Sequence, residues 1–170
     1  MAATANVATA PRRAPKIAPR ETARDRTLVI TRLLDAPRAL LFKMWTEPEH
    51  VARWFGCAGS TVASFTRALR PGGEWRLHMR KPDGGDFRVR GIYREIAPPD
   101  RLVFTWAWED AAGNRGHETL VDVTFAERGG KTEMTLRHSV FETTEARDQH
   151  RDGWTACFDR LDGYLKTAVA

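Results

Sequence analysis

A long helical pattern that directly follows a series of strand patterns is the feature that most constrains this fold. Between Thr61 and Val140, apolar and polar residues alternate, and turns rich in Gly and Pro interrupt the alternation at short intervals. Six strands fit between these turns, and hairpin-length turns require antiparallel neighbours. From residue 143 to residue 168 the period becomes helical, with Thr143 as the predicted N-cap. A helix of this length, roughly 39 Å, can cross a whole sheet.

The segment before these strands predicts one further strand and two short helices. Residues 27–34 are rich in β-branched and aliphatic side chains, which is typical of a strand. Pro37 is suited to a helix start, and the residues after it have apolar side chains at helical spacing. Pro48 begins a second short helix over 48–54. The predicted element order is therefore β-αα-ββββββ-α, an α+β fold.

Residues 35–55, which contain the two short helices, and residues 152–165 near the chain end carry a family resemblance. Together they resemble the SRPBCC/START superfamily of helix-grip, birch-pollen-allergen-like proteins. Within it, the chain is similar to the bacterial branch that resembles the C-terminal domain of activators of the 90-kDa heat-shock-protein ATPase. The resemblance covers about residues 27–168 and implies a curved antiparallel sheet wrapped around a long C-terminal helix. Members bind, carry or transform very different ligands, so activity is not implied.

The distribution of charge argues against nucleic-acid binding. The net charge is +5, but residues 1–20 carry Arg12, Arg13, Lys16 and Arg20 and no acidic residue, so the rest of the chain is nearly neutral. We predict that residues 1–26 form a disordered basic tail rich in Ala, Pro and Arg, and that residues 27–170 form a single domain. No apolar run is long enough to span a membrane, and we expect a cytoplasmic protein.

No sequence motif indicates a metal, a cofactor or an activated nucleophile. The histidines have no helical HxxxH spacing, and Cys57 and Cys157 stand far apart without a metal-binding motif. No glycine pattern matches a phosphate-binding or dinucleotide-binding loop, and no GxSxG sequence occurs. We therefore predict neither a metal site nor a cofactor. His150 is expected on a solvated part of the last helix, and Cys157 on its apolar side.

Apolar residues on the inward faces of the predicted strands and of the last helix are candidates to line an internal cavity. A stripe of this kind also describes an ordinary core, and the two interpretations stay open, although the resemblance implies a cavity between sheet and helix as the usual site. We expect the last helix, residues 143–168, and the turn at Gly84-Gly85 to gate entry to this cavity. The candidates are Trp75, Leu77, Met79, Phe87, Val89, Tyr93, Phe104, Trp106, Trp108, Val121, Val123, Met134, Leu136, His138, Trp154, Phe158 and Leu161.

Two residues of this set could carry proton-transfer chemistry. His138 continues the inward series of Met134 and Leu136, near the predicted sheet edge, and its ordinary pKa lies close to neutrality. Tyr93 could orient a ligand through its hydroxyl. Each has a structural alternative as a hydrogen-bonded core residue. Gly153 and Gly163 in the last helix indicate either a close approach by a strand or ligand, or simple tolerance of glycine.

Several arginines share the outer, convex face of two paired strands. Arg76, Arg80, Arg88, Arg90 and Arg94 are interspersed with acidic residues, which predicts either exposed ion pairs or a surface that docks a partner. The co-chaperones that the family resemblance implies act through protein surfaces and need an additional N-terminal domain. Nothing in this sequence corresponds to that domain, so a chaperone partner is not favoured.

Binding of a hydrophobic or amphipathic small molecule, such as a lipid-like or aromatic metabolite, is our leading hypothesis. One alternative is an enzyme similar to polyketide cyclases and dehydratases that uses the same cavity. Another is a stress-response or co-chaperone-like interaction module that uses the convex face. Exposed sheet edges can also pair between copies, and the sequence does not decide whether a homodimer forms.

Overall fold

The element order predicted from the sequence is confirmed. The computed structural model describes residues 20–56 and 58–168. The elements are β1 (Leu28–Leu34), α1 (Arg38–Thr46), α2 (Pro48–Trp54), β2 (Thr61–Arg67), β3 (Glu74–Arg80), β4 (Asp86–Ala97), β5 (Arg101–Glu109), β6 (Thr119–Arg128), β7 (Lys131–Ser139) and α3 (Thr144–Ala168).

All strands belong to one seven-stranded antiparallel sheet in the order β1-β7-β6-β5-β4-β3-β2. From β2 to β7, neighbouring strands in the sheet are consecutive in the chain, and the longest connection between them is the loop 110–118 between β5 and β6. The first strand is added beside the last, so β1 and β2 are the two edges. His138 pairs with Leu28 on one side and with Val121 on the other. His138 lies near the sheet edge, as predicted, but β7 is not the edge strand itself, because β1 returns to cover it.

The sheet is curved, and Gly91 shows why at one point. A Cβ atom at Gly91 would lie 1.7 Å from the carbonyl oxygen of Thr105 on β5, so only glycine allows this approach. The register between β4 and β5 shifts a few residues later, between Tyr93 and Glu95. A bulge of this kind bends a strand and increases its twist. The sheet therefore has a concave face, on which the helices pack.

Helices α1 and α2 form a pair that closes one end of that concave face. Pro37 precedes α1, and Pro48 is the first residue of α2, as expected from the fixed backbone angle of proline. The indole N–H of Trp54 donates to the carbonyl of Met44 over 2.9 Å, and the ring centroids of Trp45 and Trp54 are 5.0 Å apart. These contacts lock the two helices together.

Helix α3 lies against the concave face and completes the core. The hydroxyl oxygen of Thr143 accepts a hydrogen bond from the backbone N–H of Ala146 over 3.0 Å, which confirms the predicted N-cap. The buried stripe of this helix consists of Trp154, Cys157, Phe158, Leu161 and Leu165. No helix in the described ranges is long and apolar enough to cross a membrane.

Residues 20–26 form a turn at the start of α3. The carboxylate of Glu21 accepts a hydrogen bond from the backbone N–H of Thr144 over 3.2 Å, and Arg147 donates to the carbonyl of Asp25. This part of the predicted tail is thus held against the domain by polar contacts. Residues 1–19 lie outside the described residues, and the division of the chain at residue 27 stays a prediction.

Candidate functional site

Aromatic side chains fill the centre of the space between sheet and helices. The ring centroids of Trp75 and Phe104 are 5.4 Å apart, and those of Trp45 and Trp154 are 5.7 Å apart. Edge-on and tilted arrangements of this kind are favourable for aromatic rings. The void left at the centre measures only about 30 Å³, roughly the space of one water molecule. This part of the interior is a packed core.

A larger cavity of about 370 Å³ opens beside this core, between α3, the end of α2 and strands β3 to β5. Its volume lies within the range of roughly 300–1,000 Å³ that is usual for small-molecule sites. Most of its lining is aromatic or otherwise apolar. The lining residues are Phe55, Gly56, Met79, Phe87, Trp106, Trp108, Gln149, His150, Gly153, Trp154 and Cys157.

The predicted lining residues divide into three groups. Met79, Phe87, Trp106, Trp108 and Trp154 line the cavity, and Trp106 also lines the small void together with Trp75, Leu77, Tyr93 and Phe104. The structure places the remaining candidates at neither space: Val89, Val121, Val123, Met134, Leu136, His138, Phe158 and Leu161. These residues are almost completely buried in the core. Alternation identified the inward face of the sheet but not the part of it that stays open.

Sequence reasoning placed Trp154 of α3 in the lining but missed the rest of the helical wall and the segment after α2, namely Gln149, His150, Gly153, Cys157, Phe55 and Gly56. His150, Gly153, Trp154 and Cys157 follow one another at helical spacing, and this signal could have extended the predicted stripe by one turn. The expectation that His150 is solvated is wrong, because this side chain is partly buried in the cavity wall. The turn at Gly84-Gly85 does not line the cavity, although Phe87 just after it does.

A hydrogen bond from Trp108 to His150 joins β5 to α3 at the cavity wall. The indole N–H of Trp108 donates to Nε2 of His150 over 2.9 Å. Since Nε2 accepts, the proton of a neutral imidazole lies on Nδ1, which donates to the carbonyl of Ala146 over 2.7 Å. Burial lowers the pKa of His150, against an opposing effect of the Ala146 carbonyl. Both ring nitrogens are therefore used within the protein.

His138 has the same arrangement deeper in the core. The indole N–H of Trp154 donates to Nδ1 of His138 over 3.1 Å, so Nε2 carries the proton and donates to the hydroxyl of Thr119 over 2.6 Å. That hydroxyl donates in turn to the carbonyl of Trp106 over 3.1 Å. Burial, and to a smaller extent the nearby His150, lowers the pKa of His138 well below its ordinary value. The imidazole is neutral, and neither nitrogen is left for a reacting molecule.

Tyr93 is also separate from the cavity. Its side chain is buried on β4 beside Phe104, at the small central void, and burial raises the pKa of its hydroxyl well above the ordinary value. A phenol of this kind stays protonated at neutral pH. The roles of Tyr93 and His138 in catalysis stay predictions, and the geometry offers no reacting space next to either. Within the two described ranges, no group of three or more His, Cys, Asp and Glu side chains could hold a metal ion.

Gly153 leaves an opening in the helical wall. Apart from its chain neighbours and the adjacent backbone of α3, no atom of the described residues comes within 4 Å of the position that its Cβ would occupy. The same is true of Gly163, which lies on α3 but does not line the cavity. Neither glycine is therefore required by a close approach of the protein to itself. A larger side chain at position 153 would extend into open space at the cavity.

Ion pairs occupy much of the convex face. Arg76 pairs with Glu74 at 3.0 Å, and Arg90 pairs with Glu109 at 3.2 Å. Arg80 and Arg88 both approach the carboxylate of Asp86, each at 3.9 Å. The pairs made by Arg76, Arg80 and Arg88 are exposed, and such pairs contribute only about 0.2–1 kcal/mol each, whereas the Arg90–Glu109 pair is partly buried. The docking of a partner on this face stays a prediction.

Comparisons with known proteins agree with this architecture. The AHSA1 protein of Silicibacter pomeroyi is 26% identical and has a TM-score of 0.76, over 84% of this chain and 99% of that one. A protein from Arthrobacter aurescens, 23% identical, has a TM-score of 0.76 over 87% and 90% of the two chains. The AHSA1-like protein of Aeromonas hydrophila, 24% identical, has a TM-score of 0.69 over 84% and 93%. No curated protein matches the chain.

The family comparison is more specific than the structural one. The family described as "Activator of Hsp90 ATPase homolog 1-like protein" matches residues 35–166, which include both helical segments that carried the resemblance and the whole sheet after β1. The helix-grip fold predicted from the sequence is confirmed by the curved sheet and its long C-terminal helix. The chain therefore belongs to the family of Activator of Hsp90 ATPase homolog 1-like proteins, in the SRPBCC superfamily.

Proposed function

We propose that this protein binds a small, largely apolar molecule in the cavity between α3 and strands β3 to β5. The observation that carries the proposal is an open space of about 370 Å³ with mainly aromatic walls, next to a core whose own void is about 30 Å³. Because the centre of the domain is closely packed, the larger space beside it is not explained by a shortage of apolar side chains. Transfer of apolar ligand surface into it would be favourable by about 25 cal/mol per Å² before ordering costs.

The walls of the cavity are held in place before any ligand arrives. Trp108 is tied to His150 by a hydrogen bond of 2.9 Å, and Trp154 to His138 by one of 3.1 Å. At the other side, the backbone N–H of Gly56 donates to Sγ of Cys157 over 3.3 Å. A site that is already ordered loses less conformational entropy on binding. Membership of the SRPBCC superfamily, whose members often bind hydrophobic ligands, supports the same proposal.

Filling the cavity from the helix side tests the proposal. Gly153→Leu would project a side chain into the open space, whereas Gly163→Leu adds the same side chain to the same helix away from the cavity. We expect wild type and Gly163→Leu to bind the uncharged probe N-phenyl-1-naphthylamine, with enhanced probe fluorescence and energy transfer from tryptophan. Gly153→Leu should lose at least nine-tenths of that signal. Equal binding by all three proteins, or none by wild type, would reject this site.

The other hypotheses receive less support. No observation favours a polyketide cyclase-like reaction, because His138 and Tyr93 both lie away from the cavity. We also propose that the protein is cytoplasmic, and the distribution of a fluorescent fusion protein in the cell would test this location. Homodimerisation through the sheet edges and contact with a chaperone stay predictions, and size-exclusion chromatography with light scattering would test the first of them.

A further inference from the structure

We infer that the ligand is an uncharged, flat ring compound with few hydrogen-bonding groups, and that the cavity rejects anionic molecules of the same shape. This inference rests on the proposed function, since it concerns the same cavity. It goes further because it names the chemical class and excludes another large class of apolar ligands, the amphipathic anions. The chemistry of the wall carries it.

Among the described residues, 20–56 and 58–168, the lining of the cavity carries no Asp, Glu, Lys or Arg. The histidine of this lining, His150, is held neutral by its hydrogen bond from Trp108. An ion that enters such a space gives up its hydration without gaining a partner of opposite charge, which is far more costly than burying a neutral group. A carboxylate or sulfonate on the buried part of the ligand is therefore excluded.

Most polar groups of the wall already have partners within the protein. The indole N–H groups of Trp108 and Trp154 are donated to imidazoles, and His150 uses both ring nitrogens. Sγ of Cys157 accepts from the backbone N–H of Gly56. A hydroxyl-rich ligand would bury groups that find no partner here, at about 1–3 kcal/mol for each. The interior of the cavity therefore favours carbon surface.

Two positions can accommodate a polar atom of the ligand. The indole N–H of Trp106 is buried and has no hydrogen-bond partner among the described residues, so a neutral acceptor against this wall would be tolerated. Gln149 is exposed at the mouth, where its side-chain amide makes one long hydrogen bond of 3.5 Å, to Glu145. A ligand with one or two neutral polar groups fits this distribution.

The shape of the wall favours a ring. Trp108 lies 5.4 Å from Trp106 with the rings nearly perpendicular, at 88°, and 5.6 Å from Phe87. Phe55 and Trp154 continue this wall beyond Trp106, with their ring centroids 5.6 Å apart and nearly perpendicular, at 80°. Aromatic faces and edges at several orientations suit a flat ring system, which can stack on one wall and meet another edge-on. Met79 adds a side chain that adapts to different outlines.

Two cations lie close to the cavity without lining it, and they offer the opposite outcome: Arg160, which donates to the carbonyl of the lining residue Gly56 over 3.2 Å, and Lys81. The ammonium group of Lys81 lies 3.8 Å from the centre of the Phe87 ring, outside the lining residues. The ring already stabilises this charge by a cation–π interaction. An anionic ligand that protruded from the mouth would have to draw Lys81 away from Phe87. If it did so, it would bind more tightly than its neutral counterpart, and the test must distinguish the two results.

A matched pair of probes provides the test. N-phenyl-1-naphthylamine is neutral, and 8-anilinonaphthalene-1-sulfonate has the same ring skeleton with one added sulfonate. Fluorescence titration of the wild-type protein should give at least a tenfold tighter Kd for the neutral probe, with one molecule bound per chain by native mass spectrometry. A Kd for the sulfonate that is equal or tighter, and that weakens in Gly153→Leu, would overturn the inference while leaving the proposed function intact.

The variants separate the remaining results. Gly163→Leu controls for the added leucine, and far-ultraviolet circular dichroism verifies folding of both variants. Sulfonate binding that Gly153→Leu does not change lies outside the cavity, and together with loss of the neutral probe it supports the inference. If the sulfonate binds more tightly than the neutral probe in wild type but not in Lys81→Met, the site recognises anions and the inference is wrong. No binding of the neutral probe to wild type would reject both proposals.

Discussion

Trp154 on α3 donates its indole N–H to Nδ1 of His138 on β7, over 3.1 Å, and thereby joins the last helix to the sheet in the interior of the domain. His138 has no solvent exposure, and its Nε2 donates a hydrogen bond to the hydroxyl of Thr119. These contacts explain why a histidine stands in an otherwise apolar stripe. Its imidazole accepts a hydrogen bond from the buried indole N–H of Trp154 and donates one to the buried hydroxyl of Thr119.

Replacement of His138 by Leu should destabilise the domain by about 1–3 kcal/mol, because Trp154 is left with a buried, unpaired N–H. Urea unfolding monitored by tryptophan fluorescence measures the change. His138→Gln, which keeps one donor and one acceptor, should recover part of the loss. Equal stability of the Leu variant and wild type would show that the hydrogen bond is not needed.

Stability should fall as pH decreases below about 6.5. Burial holds the pKa of His138 well below its ordinary value of 6.5 in the folded protein, so below that pH the unfolded chain takes up a proton that the native protein does not. The free energy of unfolding therefore decreases from about pH 6.5 towards the lower pKa of the folded state. His150, whose pKa is also lowered, acts in the same direction.

Thermal unfolding at pH 7.5 and pH 5.0 measures this effect. His138→Gln has no imidazole at position 138, so its Tm should change less between the two pH values than the Tm of wild type. The aspartates whose pKa is lowered, Asp25, Asp86 and Asp110, start from an ordinary value of 3.8 and act mainly below this window. A Tm of wild type that stays constant or rises at pH 5.0 would contradict the assignment of His138 as a buried neutral group.

Gly153→Ala should stabilise the protein by about 0.5–1 kcal/mol. Glycine within a helix is less favourable than alanine by about this amount, and the added methyl group would meet no protein atom within 4 Å. Gly163→Ala, at the other open position of α3, should have a similar effect. Denaturant midpoints of both variants provide the measurement, and a lower midpoint for Gly153→Ala would mean that the open space at position 153 is needed for folding.

Gly91→Ala should destabilise the protein, in contrast to Gly153→Ala. The added Cβ would collide with the carbonyl of Thr105 at 1.7 Å, and only a displacement of β4 from β5 could relieve this contact. We expect a loss of about 3 kcal/mol. The same urea titration, with Gly163→Ala as a control for glycine replacement, tests it. A stability close to wild type would show that the two strands separate without difficulty at this point.

The fate of the aromatic residues shows how far sequence reasoning reached. Trp75 and Trp106 both belong to period-two series of aromatic and apolar residues, and both are buried on the inward face to which the sequence assigned them. Only Trp106 reaches the larger cavity, because Trp75 packs against Phe104 at the closed centre. Period-two alternation reports the side of the sheet on which a residue lies. It contains no information about whether another element covers that position.

The prediction for His150, on α3, failed for the same reason: a local pattern does not show which distant residues cover a position. Its neighbours in sequence are polar and charged, so nothing local distinguished it from a solvated histidine. In the folded protein it accepts a hydrogen bond from Trp108, 42 positions earlier in the chain. Gly153 is a related case: the sequence left open whether a close approach required it, and the structure shows open space.

The sequence by itself determined the order of the elements, the turns that make the sheet antiparallel, the inward faces of strands β3 to β7 and the N-cap at Thr143, because these depend on local spacing and on the backbone preferences of Pro and Gly. Only the tertiary structure decided that β1 covers β7, that His138 is a neutral hydrogen-bonded core residue, and that the cavity lies beside α3 and not at the centre. These features depend on contacts between residues distant in the chain. Their packing is set by the curvature of the sheet and the placement of the helix on it.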